Sequence, residues 1–390
     1  MTTTPGVRTM EIGTTSEIKT TREIVDKWVR DINGPVALHL RQKLLPVEGI
    51  IEGQGAVLFP PTYAGGRGRE SGYNIDELWD NRSVCTVDSV GSQANWMEPI
   101  FKEENFKSLV PQVEIQFGKD VRRSLLDVGH RLADAAVRNT DGIDDVRRAF
   151  EAWLKGDADP IAKLAPTSIV FGAWDSRECG AKLPRIVQAV IRAWDVKPLH
   201  RSVQYVPPVD YSELGVFAAD DKEKAEGSTT SPLAERGYVH VPNTGPGGIV
   251  VRGPILRDVT INLVALRRIP SSSNPEKLRR YVLGLSLVAA TRGFDGFLRQ
   301  GCLLTLDPND KPAWQVVLRD GTRTPVALDE SFALQYAKDA AEDFGVGKGR
   351  TLGFDNKKAQ EDLKAAKDKK RRRGPKEANF AEAAATGDGA

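Results

Sequence analysis

One stretch of this chain reads Asp88-Ser89-Val90-Gly91-Ser92-Gln93-Ala94-Asn95-Trp96-Met97-Glu98. It follows the apolar-alternating run 83–87, which predicts a strand entering the core. If the chain is helical from residue 89, the spacing places Ser89, Ser92, Gln93 and Trp96 on one face and Val90, Ala94, Met97 and Phe101 on another. Hydroxyl and amide groups on the polar face, with Asn95 beside them, suit the oxygens of a nucleic-acid backbone. The alternative is an internal polar network that satisfies neighbouring backbone groups.

The composition describes a chain with ample material for a large core. Its 390 residues are 40% hydrophobic, yet no apolar run is long enough to span a bilayer, and the N-terminus lacks a signal-peptide core. We therefore expect a cytoplasmic protein with no membrane contact. The cysteines (Cys85, Cys179 and Cys302) are isolated, and the histidines lack zinc spacing, so we expect buried free thiols and no metal or cofactor. The net charge of +2 is low for a non-specific DNA-binding protein.

The hydrophobic pattern predicts an α+β fold with insertions, because strands and helices alternate without a regular βα rhythm. The predicted strands are 36–45, 83–87, 168–174, 258–266, 302–306 and 314–318. The predicted helices are 21–32, 119–139, 141–154, 186–194, 275–290 and 329–343, besides the one beginning at residue 89.

Four segments predict little regular structure. Residues 1–16 are polar and Thr-rich, and we expect them to be disordered. Residues 61–82 predict a long, mobile, basic loop. Residues 206–248 form the least structured interior region, and a loop of that length is usually functional or disordered. Residues 346–390 are highly charged, which predicts a frayed helix and then a disordered tail.

Basic residues gather in pairs along the chain. The pairs are Arg41 with Lys43, Arg67 with Arg69, Lys182 with Arg185, and Arg267 with Arg268. A solvated surface explains any single pair, whereas pairs that converge on one groove would bind phosphates. Pro184 indicates a helix start, so Lys182 and Arg185 form either a first-turn phosphate site or a plain surface helix start. Trp174, Ser176 and Arg177 follow a predicted strand, in either a binding loop or a structural turn.

The run of residues 88–95, followed by Met97-Glu98-Pro99, resembles the signature of the CRISPR-associated RAMP backbone protein of type I-U (also called I-G) systems, the Cas-seven-type subunit of Cascade in the GSU family. Further matching motifs lie, in the family's order, at residues 58–64, 72–76, 171–177, 181–185 and 298–304. The resemblance covers roughly residues 36–345. This chain departs from the family at Trp96, where members usually carry an arginine.

The resemblance implies an RRM-like (ferredoxin-like) RAMP core, or palm, within residues 17–345. Its helical fingers would be residues 119–165, and its thumb loop would be residues 206–248. It implies that RNA is bound by Arg41, Lys43, Arg67, Arg69, Ser89, Ser92, Gln93, Asn95, Trp96, Trp174, Ser176, Arg177, Lys182, Arg185, Arg267 and Arg268. The implied function is that of a non-catalytic subunit that polymerises along the CRISPR guide RNA and presents it to target DNA. Its implied partners are copies of itself, a fused Cas-five/Cas-six-type subunit, and the Cascade large subunit.

Two other functions remain open. Backbone subunits of type III relatives cut target RNA with a loop aspartate and a divalent metal, for which Asp210, Asp220 and Asp221 are candidates here. The chain could also be a stand-alone protein that binds single-stranded RNA.

Overall fold

The computed structural model describes residues 17–64, 72–228 and 230–372. Its strands are β1 (Ile18–Lys19), β2 (Ala37–Pro46), β3 (Ala56–Leu58), β4 (Ile75–Glu77), β5 (Ser83–Asp88), β6 (Val113–Phe117), β7 (Val121–Ser124), β8 (Ala173–Trp174), β9 (Lys182–Leu183), β10 (Val187–Trp194), β11 (Val196–Tyr205), β12 (Val241–Val251), β13 (Ile255–Asn262), β14 (Phe297–Arg299), β15 (Cys302–Leu306), β16 (Trp314–Val317), β17 (Arg323–Ala327) and β18 (Arg350–Gly353).

Its α-helices are α1 (Arg22–Arg30), α2 (Val90–Met97), α3 (Ala135–Arg138), α4 (Ile143–Leu154), α5 (Asp159–Leu164), α6 (Thr167–Val170), α7 (Ala219–Ala225), α8 (Pro232–Glu235), α9 (Leu263–Arg267), α10 (Pro275–Thr291), α11 (Glu330–Phe344) and α12 (Asn356–Arg372). Within the described ranges, no helix is both long enough and apolar enough to cross a membrane.

A ten-stranded sheet organises the molecule. Its main path runs β1-β17-β16-β2-β13-β10-β5-β4, and β15 extends it from the far end of β2, with β14 alongside. The pairing is antiparallel throughout except between β1 and β17. In β2, the alternation buries Leu38, Leu40 and Leu44 and turns Arg41 and Lys43 outward. One face of the sheet is therefore apolar, as a half-buried antiparallel sheet requires.

Helix α10 covers the apolar face and is itself covered by α11, so its residues from Leu278 to Ala290 are almost all buried. A helix that is apolar on every side needs such a place between two layers. The two helices approach closely at Gly284, where an added Cβ would lie 2.8 Å from the Cα of Ala337. A smaller second core joins the ends of β2, β5 and β10 to β3, β12 and β15.

The strands β11 and β12 form a long antiparallel hairpin that pairs with β3 at its base, from Ile249 to Val251. Residues 206–240 lie between the two strands and include α7 and α8. They carry an aromatic contact of their own, between Tyr211 and Tyr238, with ring centroids 5.0 Å apart. The interpretation of residues 206–248 as largely unstructured was therefore wrong, since β12 begins at Val241. The glycines and prolines of β12 hide the usual strand pattern.

Several predicted elements are confirmed, with small shifts at their ends. Thr21 caps α1, Ser89 caps α2, Asp329 caps α11, and α10 begins at Pro275. Helix α4 lies where a helix at 141–154 was predicted, although its N-cap is Gly142 and not Asp141. The predicted strand at 258–266 begins earlier and ends at Asn262, whose side chain caps α9.

Three predicted elements were wrong. The supposed helix 119–139 is β7 followed by short 3-10 turns and α3, because β7 pairs with β6 and Arg131 has a φ of +52°. The supposed strand 168–174 is α6 followed by the two-residue β8. The supposed helix 186–194 is the central strand β10. Its apolar residues fit helical spacing only because they are buried on both faces of the sheet.

We predict that Gly284→Ala destabilises the protein by about 1–2 kcal/mol, because overpacking against the backbone of Ala337 outweighs the gain in helix propensity. Urea unfolding followed by circular dichroism measures the change. Gly91→Ala in α2 is the matched control, since an added Cβ there meets no atom nearer than 3.9 Å. This substitution should stabilise slightly, and equal shifts for the two variants would contradict close packing at Gly284.

Candidate nucleic-acid interface

The helix α2 is short and is held at both ends. Ser89 accepts a hydrogen bond from the backbone N–H of Ser92 at 3.3 Å, and a 3-10 turn with Pro99 near its start follows Met97. Gln93, Ala94 and Met97 are buried, whereas Asn95 and Trp96 are exposed. Ser89 and Ser92 are partly buried. The predicted polar surface of α2 is therefore divided. The amide of Gln93 points into the protein, whereas the amide of Asn95 and the indole of Trp96 point outward.

Gln93 belongs to a buried polar network. Its amide Nε2 donates to Asp88 Oδ2 at 2.6 Å, and its Oε1 accepts from Arg257 Nε at 2.8 Å. Arg257 Nη1 donates to Gln42 Oε1 at 2.7 Å. The sequence allowed either contact with a nucleic-acid backbone or an internal polar network. For Gln93, the structure shows the internal network. The network ties α2 and β5 to the neighbouring strands β13 and β2.

Burial sets the electrostatics of this network. Arg257 is only 3% exposed, and burial lowers the pKa of its guanidinium to about 10. Burial likewise raises the pKa of Asp88, against the lowering effect of its hydrogen bonds from Ser92 and Gln93. The guanidinium carbon of Arg257 lies 4.8 Å from the ring centroid of Phe294, so a cation–π contact covers one of its faces.

We predict that Gln93→Ala lowers the free energy of unfolding by about 3 kcal/mol, because it leaves two buried charged groups without their shared partner. Asn95→Ala, two residues away and exposed, should change it by less than about 0.5 kcal/mol. Urea unfolding measures both. Similar small changes in the two variants would show that the network contributes little.

A cleft of about 430 Å³ opens between α2 and the segment that follows α10. Its walls include Trp96, Arg257, Arg292, Phe294 and Phe297, and we call it the α2 cleft. Arg292 donates to Glu103 and Glu330, each at 3.1 Å. The far wall, formed by the segment after α10, contains none of the residues that were predicted to bind RNA. The feature of the sequence that could have indicated this wall is the run 292–297, in which glycine, arginine and aromatic residues are interleaved.

A second cluster lies on the small hairpin of β8 and β9, where Trp174 pairs with Lys182. Lys182 Nζ lies 5.4 Å from the indole centroid, and Trp174 is 39% exposed. The carboxylate of Asp175 accepts from the backbone N–H groups of Arg177, Glu178 and Cys179. These bonds lower the pKa of Asp175, although burial alone would raise it. The loop is thus a well-formed structural turn, and it presents Ser176 and Arg177 to solvent.

Arg185 does not begin a helix, so both predictions for Lys182 and Arg185, a first-turn phosphate site and a plain surface helix start, were wrong. The residue lies between β9 and β10 and is half-buried. Burial and the nearby Arg131 guanidinium lower the pKa of Arg185.

Arg41 and Lys43 lie side by side on the outward face of β2, and both are paired with carboxylates. Arg41 Nε donates to Asp258 Oδ1 at 2.7 Å, and Lys43 Nζ lies 2.9 Å from Asp307 Oδ2. Although burial would raise the pKa of Asp258, hydrogen bonds from His39 and Arg41 lower it to about 2. This part of the sheet is therefore close to neutral.

The remaining predicted cations do not join these clusters. Arg267 is buried and donates to the carbonyl oxygens of Trp28 at 2.8 Å and Pro35 at 2.6 Å, which fixes α1 to α9. Arg268 is exposed and lines a separate cleft with Trp153 and Pro184. Arg67 and Arg69 lie outside the described residues.

The candidate catalytic aspartates lie on the β11–β12 hairpin. Asp210 accepts from Lys222 Nζ and Ser212 Oγ, each at 2.6 Å, and these bonds lower its pKa. Asp220 and Asp221 are in the first turn of α7. Among the residues that the structure describes, no group of three or more His, Cys, Asp or Glu side chains could hold a metal ion. The three cysteines are free thiols, and burial raises the pKa of both Cys85 and Cys302 to about 12.

A buried ion pair supports the chain just after α2. Arg131 Nε donates to Glu98 Oε2 at 2.6 Å, and both side chains are nearly inaccessible. Burial raises the pKa of Glu98 from 4.5 to about 7, against the lowering effect of Arg131. The folded protein therefore holds this proton more tightly than the unfolded chain does. Below the pKa of Glu98 in the unfolded chain, the proton makes its full contribution to stability. This contribution is lost as the pH rises through the pKa of Glu98 in the folded protein.

We predict that the free energy of unfolding falls between about pH 5 and about pH 7.5, by about 1.4 kcal/mol for each unit of the Glu98 shift. Glu98→Gln, which resembles the protonated carboxyl, should remove this part of the pH dependence. Urea unfolding at both pH values measures it, with Glu104→Gln at an exposed position as the control. An unchanged pH slope in Glu98→Gln would contradict the assignment.

Comparison with known proteins points to one family. Residues 38–198 match the family model of the CRISPR-associated protein GSU0053. This segment is less than half of the chain, but it contains the whole of α2, the β8–β9 hairpin and every described residue that was predicted to bind RNA except Arg267 and Arg268. The match supports a CRISPR-related role.

Other comparisons add little. No curated protein matches the chain. A chain of a solved structure titled "CRISPR RNA-guided surveillance complex, pre-nicking" aligns with a TM-score of 0.32 and 10% identity, over 85% of this chain and 98% of that one.

Proposed function

We propose that this protein is a CRISPR RNA-binding backbone subunit of a type I-G Cascade complex. The observation that carries the proposal is helix α2, which lies within the segment matched by the CRISPR-associated family and turns Asn95 and Trp96 outward beside a cleft. An amide and an indole bind single-stranded RNA without neutralising charge, which fits a chain of low net charge.

The proposed core is RRM-like. The strand order β16-β2-β13-β10 supports it, because four antiparallel strands in the chain order fourth, first, third, second define a ferredoxin-like sheet. Helix α10 joins β13 to β16, as the second helix of that fold does. Residues 119–165, inserted between β2 and β10, are the proposed fingers. The segment 206–248 of the β11–β12 hairpin is the proposed thumb.

In the proposed assembly, copies of the chain associate head to tail along the guide RNA. Each copy holds guide phosphates and sugars and leaves base edges available to target DNA, so sequence specificity resides in the guide. The other proposed partners are the fused Cas-five/Cas-six-type subunit and the large subunit, in the cytoplasm. The protein performs no chemistry in this proposal.

We predict that the full chain binds single-stranded RNA with an affinity that falls with salt, at a log-log slope of roughly −0.7 for each phosphate neutralised. Replacing Arg177 and Lys182 by alanine should reduce the affinity and the steepness of the slope. Lys338→Ala, an exposed cation on α11 in the helical layer, is the matched control. Fluorescence anisotropy measures the three proteins. An unchanged slope in the double variant would exclude these residues from the RNA path.

Assembly tests the rest of the proposal. On guide RNAs of increasing length, the mass of the complex should rise in regular steps, and labelled complementary RNA with magnesium should stay intact. One copy per RNA at every length would instead indicate a stand-alone binding protein. Cuts at regular intervals would indicate a catalytic subunit.

A further inference from the structure

The α2 cleft is walled by aromatic side chains from two distant parts of the chain. Trp96 comes from α2, whereas Phe294 and Phe297 come from the segment after α10. Trp96 is 50% exposed and Phe297 is 52% exposed. Each of these rings therefore leaves about half of its apolar surface exposed, and a planar ligand can cover that surface. The cleft volume of about 430 Å³ is near the lower end of the range for small-molecule sites, so it has room for one small heterocycle.

The charges of the cleft favour a neutral ligand over a phosphate. Arg292 already donates to Glu103 and Glu330. Arg257 commits Nε to Gln93 and Nη1 to Gln42, and its face to Phe294. The carboxylates of Glu103 and Asp295 also line the cleft. A phosphate would meet these carboxylates and find both guanidinium groups engaged, whereas an uncharged ring carries no such penalty.

The polar groups beneath Trp96 are closed to a ligand. Gln93 is only 1% exposed, and its amide is engaged by Asp88 and Arg257. A ring that enters the cleft is therefore held by the aromatic side chains, and stacking on such side chains is a way in which proteins hold unstacked bases.

We propose that the α2 cleft binds one unstacked nucleobase of single-stranded RNA, with Trp96 and Phe297 stacking on its faces. This inference rests on the proposed function and specifies which part of the guide this site takes. The site works one base at a time, and the flanking nucleotides lie outside it.

The test measures RNA binding by the full chain, with each nucleotide of a short RNA replaced in turn by an abasic one. In the unaltered protein, one abasic position should weaken binding about 5- to 150-fold, the range expected for one stacked base. Trp96→Ala should weaken binding to the intact RNA by a similar factor and lose all sensitivity to that abasic position. Trp96→Phe should recover part of both. Phe297→Ala is an independent second variant, and Trp79→Ala, 83% exposed and outside the cleft, is the control.

The outcomes separate the cleft from the general function. Suppose that the unaltered protein binds RNA, and that Trp96→Ala and Phe297→Ala bind each abasic RNA as tightly as the unaltered protein does. The base site is then overturned, while the proposed function stands. If Trp96→Ala weakens self-association but not RNA binding, the cleft holds a side chain of another copy, and the inference is also overturned. If the unaltered chain binds no RNA, both the function and the base site fail.

Discussion

The buried guanidinium of Arg257 is the group on which the rest of this region depends. A cation that is almost wholly withdrawn from water needs hydrogen-bond acceptors around it, and Gln93 and Gln42 provide them. Gln93 must therefore point inward, and this requirement fixes the rotation of α2 about its axis. At about 100° per residue, Asn95 lies about 200° from Gln93 and therefore faces solvent, whereas Trp96 lies about 60° from Gln93, at the rim of the buried face, where its ring reaches the cleft. The exposed surface of α2 is thus a consequence of an interaction beneath it.

Elements whose signals are local could be predicted from the sequence. Thr21, Ser89 and Asp329 are side-chain caps at helix starts, and each capped helix is present. Elements whose nature depends on their neighbours could not. Strand β10 is buried on both faces, so its apolar residues fit helical spacing as well as a strand. Residues 119–139 have helical periodicity, but pairing with β6 and a left-handed backbone at Arg131 prevail there.

The candidate site shows the same division. Its polar helix could be recognised because the residues of α2 are consecutive. Arg257, one of the two partners of Gln93, is 164 residues away, so the local pattern alone does not indicate that this amide is internal. The same limit applies to Phe294 and Phe297, which reach the cleft only because α10 ends beside α2. The exposure of single surface side chains, such as Ser176 and Arg177, could be predicted from the sequence. Which of these side chains lie close together in space depends on tertiary structure.

The pairing of surface cations with the protein's own carboxylates has a further consequence for selectivity. Arg41 is held by Asp258 and Lys43 by Asp307, so a phosphate that approaches them must displace a carboxylate already in place. Each such exchange replaces one ion pair by another and gains little free energy on its own. Unrelated nucleic acid in the cell would therefore be retained weakly by this surface. A ligand would be bound tightly only if it contacted several sites along the chain at the same time. Selectivity then comes from the number of contacts that one ligand makes together.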